Sequence, residues 1–165
     1  MLCWRFSRVA AAAALLAFTA CSELDRTRWK ARLGSADAQR ALGERLASGD
    51  GVEADLDEAL VWFEKAAEDG SVAAQMRLAL IYGERSGPED AARAERWLRA
   101  AAEAGDARAQ GMLAERIVAA GGDDAEAAKW IARSAEGGDP RGQLAQALRL
   151  AREPGKQAEV LALLT

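Results

Sequence analysis

An all-α architecture of stacked helix pairs is predicted for this 165-residue chain by three observations. Trp29, Trp62, Trp97 and Trp130 stand 33, 35 and 33 residues apart, and a period of that length marks a helical repeat array. The last three open matching phrases: Trp62-Phe-Glu-Lys-Ala-Ala-Glu-Asp-Gly70, Trp97-Leu-Arg-Ala-Ala-Ala-Glu-Ala-Gly105 and Trp130-Ile-Ala-Arg-Ser-Ala-Glu-Gly-Gly138. Alanine supplies 41 residues while Phe, Trp and Tyr together make 5%. Large core side chains are therefore few, and the helices must approach closely.

The first segment, residues 1–20, has the layout of an export signal. Arg5 and Arg8 stand before a twelve-residue run from Val9 to Ala20 that is rich in Ala and Leu. As a helix that run spans about 18 Å, short of the ~30 Å hydrocarbon core, so a permanent transmembrane helix is the weaker reading. Phe18-Thr19-Ala20-Cys21 resembles the bacterial lipobox, with Phe where Leu is usual. That resemblance implies cleavage before Cys21 and acylation of Cys21, each buried methylene contributing about 0.8 kcal/mol; an ordinary signal peptide with a free Cys21 is the alternative. Ser22, rather than Asp, follows the cysteine, and by resemblance to enterobacterial sorting this points to an outer-membrane lipoprotein facing the periplasm. Residues 21–34 form the lipidated N-terminus and a degenerate leading helix with Leu24, Trp29 and Leu33.

The repeats follow. Gly70, Gly105 and Gly138 stand where helix C-caps belong. New helices are expected after Ser35, Ser71, Asp106 and Asp139 as N-caps, each followed by a glutamine: Gln39, Gln75, Gln110 and Gln143. On the first helix of each pair the apolar set is Ala38, Leu42, Leu46; then Ala74, Leu78, Tyr82; then Ala109, Leu113, Ile117. Spacing of i, i+4, i+8 gathers each set on one stripe that must be covered. The second helices carry Ala59, Trp62, Phe63, Ala66; Ala94, Trp97, Leu98, Ala101; and Ala127, Trp130, Ile131, Ser134. Asp55 with Glu58 has the spacing of a capping box, and Pro88 and Pro140 suit first helical turns.

Taken together, these phrases resemble Sel1-like repeats, a tetratricopeptide-like helix-turn-helix family. The first unit gives the fullest match, through Ala38, Leu42, Gly43, Leu46, Gly49, Gly51, Ala59, Trp62, Ala66, Ala67 and Gly70. The resemblance implies a right-handed α-α superhelix, with repeats at 35–70, 71–105 and 106–138 and a partial fourth repeat plus C-terminal cap at 139–165. The cap is assigned to Lys156 to Leu164, a stretch with four large aliphatic residues and no Trp. Leu46 and Ile117 depart from the family at a position often aromatic, filled here by Tyr82, and Glu58 replaces a common Lys.

Composition removes whole classes of chemistry. The chain has no His, which excludes a His-based triad, an imidazole base and a His metal ligand. Net charge is -4, becoming -6 once residues 1–20 are lost, with no basic run of the kind nucleic-acid binding needs. Cys3 leaves with the signal and Cys21 is taken by lipid, so no disulfide is expected. Gly121-Gly122-Asp123-Asp124 reads as an inter-helix turn, not a calcium loop. No catalytic residue, cofactor or metal ligand is therefore assigned.

The repeated tryptophans and glycines (Trp62, Trp97, Trp130, Gly70, Gly105, Gly138) are read as structural, because packing demands the same position in every repeat whereas a single ligand site does not. A partner-binding groove is assigned instead to the positions opposite the stripe: Arg40 and Glu44, Met76 and Leu80, Gly111 and Glu115. For Met76 and Leu80, groove and packing stand level. Leu144 and Leu148 fall at the same positions in the fourth unit. There Gln146 stands where a stripe leucine belongs, so a helix turned by two residues, packing both leucines inward, is preferred.

The function expected is a non-enzymatic adaptor or scaffold, tethered in the bacterial envelope by its N-terminal lipid and binding other envelope proteins. Similar designs serve export and assembly complexes, which is what the resemblance implies. The alternative is a carbohydrate or cell-wall binding module using rows of Gln and Arg. Hydrolase activity, known in Sel1-like relatives with cysteine-linked repeats, is the weakest reading for a mature chain without such links.

Overall fold

The computed structural model describes residues 23–85, 87–152 and 155–163. The expected export signal of residues 1–20, with Cys21, Ser22 and Leu164, lies outside the described residues. Within them every element is an α-helix: α1 (23–32), α2 (Ala36–Ser48), α3 (Leu56–Glu68), α4 (Val72–Glu84), α5 (Pro88–Glu103), α6 (Ala107–Ala119), α7 (Asp124–Glu136), α8 (Pro140–Leu150) and α9 (Gln157–Leu163). The chain falls into two compact units that meet between Ala74 and Gln75, inside α4.

One device punctuates the chain repeatedly, a glycine followed by a capping residue. Gly34, Gly70, Gly105 and Gly138 have φ of +87°, +88°, +96° and +81°, a region where a Cβ is strained. At Gly70 the turn places Gly70 N–H on the Ala67 carbonyl (3.1 Å) and Ser71 N–H on the Ala66 carbonyl (2.9 Å). That is the Schellman pattern, which satisfies the last carbonyls of the ending helix. The next residue opens the following helix. Ser35, Ser71, Asp106 and Asp139 accept backbone N–H groups at 3.4, 3.4, 2.7 and 3.1 Å respectively. One residue thus closes a helix with its backbone and starts the next with its side chain. Pro88 and Pro140 occupy first turns, as their fixed φ favours.

The capping box expected at α3 forms only halfway. Asp55 accepts Glu58 N–H at 2.9 Å. The reciprocal bond is absent, because Asp55 N–H donates to the Leu46 carbonyl (2.9 Å) and the Glu58 carboxylate takes the indole N–H of Trp62 (3.2 Å).

The apolar stripes are buried as their spacing requires. Leu42, Leu78 and Leu113 are fully enclosed and Leu46, Tyr82 and Ile117 nearly so, each large aliphatic contributing about 1.5–3 kcal/mol relative to an exposed position. On the second helices Ala59, Phe63, Ala66, Ala94, Leu98, Ala101 and Ala127 are buried. Trp97 and Trp130 are buried as well; Trp62 is half-buried, with the Lys65 ammonium 4.4 Å from its ring centre.

In the first unit, α2 and α3 pack face to face, and the approach is set by Gly43. A Cβ there would stand 2.8 Å from the ring of Phe63, a distance real Cβ contacts do not reach. In the second unit α6 lies against α5, α7 and α8, and α8 against α7 and α9. Contact is tightest around Ser134. Its hydroxyl donates to the Ala107 carbonyl (2.7 Å), Gly111 and Gly142 face it, and a Cβ on Gly142 would fall 2.7 Å from the Ala135 nitrogen. Where earlier repeats have Ala66 or Ala101, the larger Ser134 is accommodated by glycine at the position of Ala38, Ala74 and Ala109.

The fourth unit keeps the register of the others. Gly142 and Ala147 face inward while Leu144 and Leu148 are 53% and 59% exposed. The two-residue rotation preferred from sequence does not occur, because Gly142 against Ser134 leaves no room to bring leucines into that interface. The C-terminal cap is thin: α9 contains no buried residue, and Leu161 is exposed.

Candidate functional site

Buried glutamines come first, since they decide what the repeated amides can do. Gln39 donates from Nε2 to the Ala31 carbonyl (3.4 Å), and Gln110 from Nε2 to the Ala102 carbonyl (3.0 Å). In both, the acceptor lies eight residues back, in the last turn of the preceding helix, and also receives the N–H of the αL glycine. The amide clips one helix to the end of another. Gln39, Gln75 and Gln110 are buried and Gln143 half-buried, so no glutamine row lies open to a saccharide.

The groove positions read from sequence separate. Arg40 and Glu44 pair with each other within α2 at 2.8 Å. Glu44 also borders a polar hollow of about 500 Å³ in the first unit, with Glu23, Arg26, Arg45 and Asp50. In the second unit Met76 is only 8% exposed and presents little surface, Leu80 is half-buried, and Gly111 is buried against Ser134. Glu115 alone of the assigned positions stands exposed beside an apolar hollow. Its carboxylate lies 3.9 Å from Arg141, across from α6 to α8.

That hollow, about 310 Å³, is enclosed by α6, α7 and α8, with a floor of Gly111, Ala114, Gly142 and Ala145. It shares Val118, Ile131 and Ala145 with a wider cleft of about 1090 Å³ that runs between α7 and α8 and includes Leu148. The two form one continuous surface, apolar in the hollow and edged by charged side chains along the wider cleft. Val118, 54% exposed, and Leu148 give it open aliphatic flanks. Lys129, Arg149 and Arg152 line the wider cleft, and none of these side chains makes an ion pair among the described residues.

Sequence reasoning placed Gly111 and Glu115 in the groove, turned Leu148 inward, and missed Val118, Ile131 and Arg141 as lining residues. A signal existed for Val118: it follows the last stripe residue, where the first two repeats carry Ala47 and Gly83. A β-branched residue at a position otherwise small, just outside the stripe, is surplus to packing.

Elsewhere the charges compensate one another. Arg99 reaches Glu95 (3.5 Å) and Glu126 (3.4 Å), and Arg116 reaches Glu95 (3.0 Å), tying α5, α6 and α7 at the surface. Such exposed pairs contribute tenths of a kcal/mol each. Among the described residues no group of three or more His, Cys, Asp or Glu side chains is arranged to hold a metal ion, and no helix is long and apolar enough to cross a membrane.

The Sel1 repeat family model matches residues 36–71, 72–106 and 109–139. The chain belongs to the Sel1 repeat family. Solved structures agree. A Sel1 repeat protein from Oxalobacter formigenes is 32% identical with a TM-score of 0.68, over 75% of this chain and 96% of that one. A protective antigen present in uropathogenic Escherichia coli strains, displaying an SLR fold, is 36% identical with a TM-score of 0.66; the match covers 75% of this chain and 27% of the antigen. No curated protein matches the chain. The all-α solenoid class expected from the repeat is that of these neighbours. Sel1 repeats generally mediate protein–protein interaction, and the family is typically a non-catalytic scaffold.

Proposed function

We propose that this Sel1 repeat protein is a non-enzymatic adaptor, tethered in the bacterial envelope through a lipid on Cys21, which holds another envelope protein and supports an export or assembly complex there. The observation that carries the binding part is the apolar hollow of α6, α7 and α8 and the charge-edged cleft continuous with it. Exposed apolar patches edged by polar groups mark interaction sites. Tethering draws on the lipobox-like Phe18-Thr19-Ala20-Cys21, and the periplasmic face of the outer membrane draws on Ser22. A protein partner is favoured over a polysaccharide because the glutamines that would form a sugar-binding row are buried and committed to structure.

The test has two arms in the native host. Palmitate should label the wild type and leave Cys21→Ser unlabelled; equal labelling would remove the lipid anchor. A photo-crosslinking residue at Val118 should then capture a defined envelope protein, and capture of none, there or at exposed positions on the remaining helices, would remove the adaptor role.

A further inference from the structure

We infer that the groove of α6, α7 and α8 receives an acidic amphipathic helix of the partner protein, its apolar ridge on Val118, Ile131, Ala145 and Leu148 and its carboxylates toward Lys129, Arg149 and Arg152. This rests on the protein-binding reading above and specifies the chemistry of the occupant.

Three features of the site select that occupant. The first is shape. The surface is concave, and its floor is built from Gly111, Ala114, Gly142 and Ala145, residues small enough for another backbone to approach closely. A concave floor of small residues fits a cylinder about 10 Å across, the width of a helix; a bilayer surface is flat at this scale. The second is spacing. Arg141, Ala145, Leu148 and Arg152 follow one another at intervals of four, three and four residues along α8 and its exit. They share one helical face, against which a second helix can lie with its own apolar residues at i, i+4, i+7.

The third feature is charge. The chain carries -4 overall, yet this surface is lined by Lys129, Arg141, Arg149 and Arg152 against Glu115 and Asp124. Arg141 is engaged only weakly, 3.9 Å from Glu115. Lys129, Arg149 and Arg152 are exposed and without an ion pair among the described residues. The contrast with the surface of α5 to α7 is direct, since Arg99 and Arg116 there are matched by Glu95 and Glu126. Cations lining an apolar hollow complement carboxylates on the flanks of the incoming segment and speed its capture.

The experiment uses the full chain lacking residues 1–20 and two synthetic 18-residue helical peptides. Both carry the same leucine ridge at i, i+4, i+7; one has Glu along its flanks, the other Lys. Fluorescence anisotropy at low salt should show the Glu peptide binding at least tenfold more tightly, with the advantage shrinking as salt rises. Leu148→Asp and Val118→Asp should each weaken it at least tenfold with an unchanged melting temperature, because both side chains are more than half exposed. The double variant Arg149→Glu with Arg152→Glu should reverse the preference. Equal or tighter binding of the Lys peptide would overturn the inference, as would failure of both peptides to bind. Binding to phosphatidylglycerol vesicles that Leu148→Asp abolishes would assign the groove to a membrane, and a dimer in sedimentation that Leu148→Asp dissociates would assign it to a second copy; either result also overturns it. Failure of the peptides together with envelope-protein crosslinking elsewhere on the chain leaves the adaptor reading standing and removes only the acidic-helix occupant.

Discussion

At the scale of single residues, the fold is specified by pairs that trade volume. Gly43 meets the ring of Phe63, whereas the second repeat has Ala79 and Leu98 at the equivalent positions. The pair conserves total size while moving it across the interface. Gly43→Ala should therefore destabilise by about 1–3 kcal/mol through overpacking, and adding Phe63→Leu should return part of that loss. A double-mutant cycle in urea measures the coupling, and strictly additive effects would refute the exchange. The glutamine clips give a second comparison. Gln110 holds Ala102 at 3.0 Å, while Gln39 holds Ala31 at 3.4 Å and leaves its buried Oε1 without a hydrogen-bond partner. Removing an amide whose own oxygen is already unpaired costs less, because the Ala31 carbonyl keeps the Gly34 N–H (3.2 Å). Gln110→Met is expected to lower stability by about 1 kcal/mol or more and Gln39→Met by less, read as the difference between their denaturation midpoints.

At the scale of elements, each junction concentrates several roles in few atoms. Asp139 Oδ2 accepts N–H groups from Arg141 and Gly142, both at 3.1 Å, and lies 3.4 Å from the Ser134 hydroxyl. Asp139→Ala removes the N-cap of α8 at the wall of the apolar hollow. The expected cost is about 1 kcal/mol, with amide exchange in the first turn of α8 accelerating more than in α6; uniform acceleration would show that the cap is not local. Much of this level was legible in the sequence. The Gly-then-Ser/Asp punctuation, the stripes and the repeat period depend on local backbone needs and on helical spacing, which recur identically and so can be read in register. The exposed state of Leu144 and Leu148 was not legible, because it turns on whether the Gly142 backbone can approach Ser134, a contact between different helices that no periodicity encodes. The groove was legible in part for the same reason. Glu115 follows from its position opposite a stripe, whereas Ile131 and Arg141 are brought beside it only when three helices assemble.

At the scale of the molecule, a helix array draws its stability from contacts between successive elements, so a change matters in proportion to how many neighbours the element has. Within the second unit α6 packs against α5, α7 and α8 and encloses Leu113 completely, while α9 rests on α8 with no residue buried. Two changes of very different size should therefore have inverted effects. Leu113→Ala deletes three carbons and should cost about 2–5 kcal/mol, because the surrounding helices cannot collapse onto the space. Truncation after Arg152 deletes a whole helix and should cost less, since little apolar surface leaves a dry contact. Urea denaturation followed by far-ultraviolet circular dichroism checks the order, and a truncation that destabilises more than Leu113→Ala would make α9 a true cap. The order also bears on binding. If α9 contributes little to stability, the truncated chain retains Val118, Ile131, Ala145 and Leu148 in place, and its affinity for the acidic peptide should remain within about threefold of the full chain, less than the 1.4 kcal/mol that a tenfold change represents.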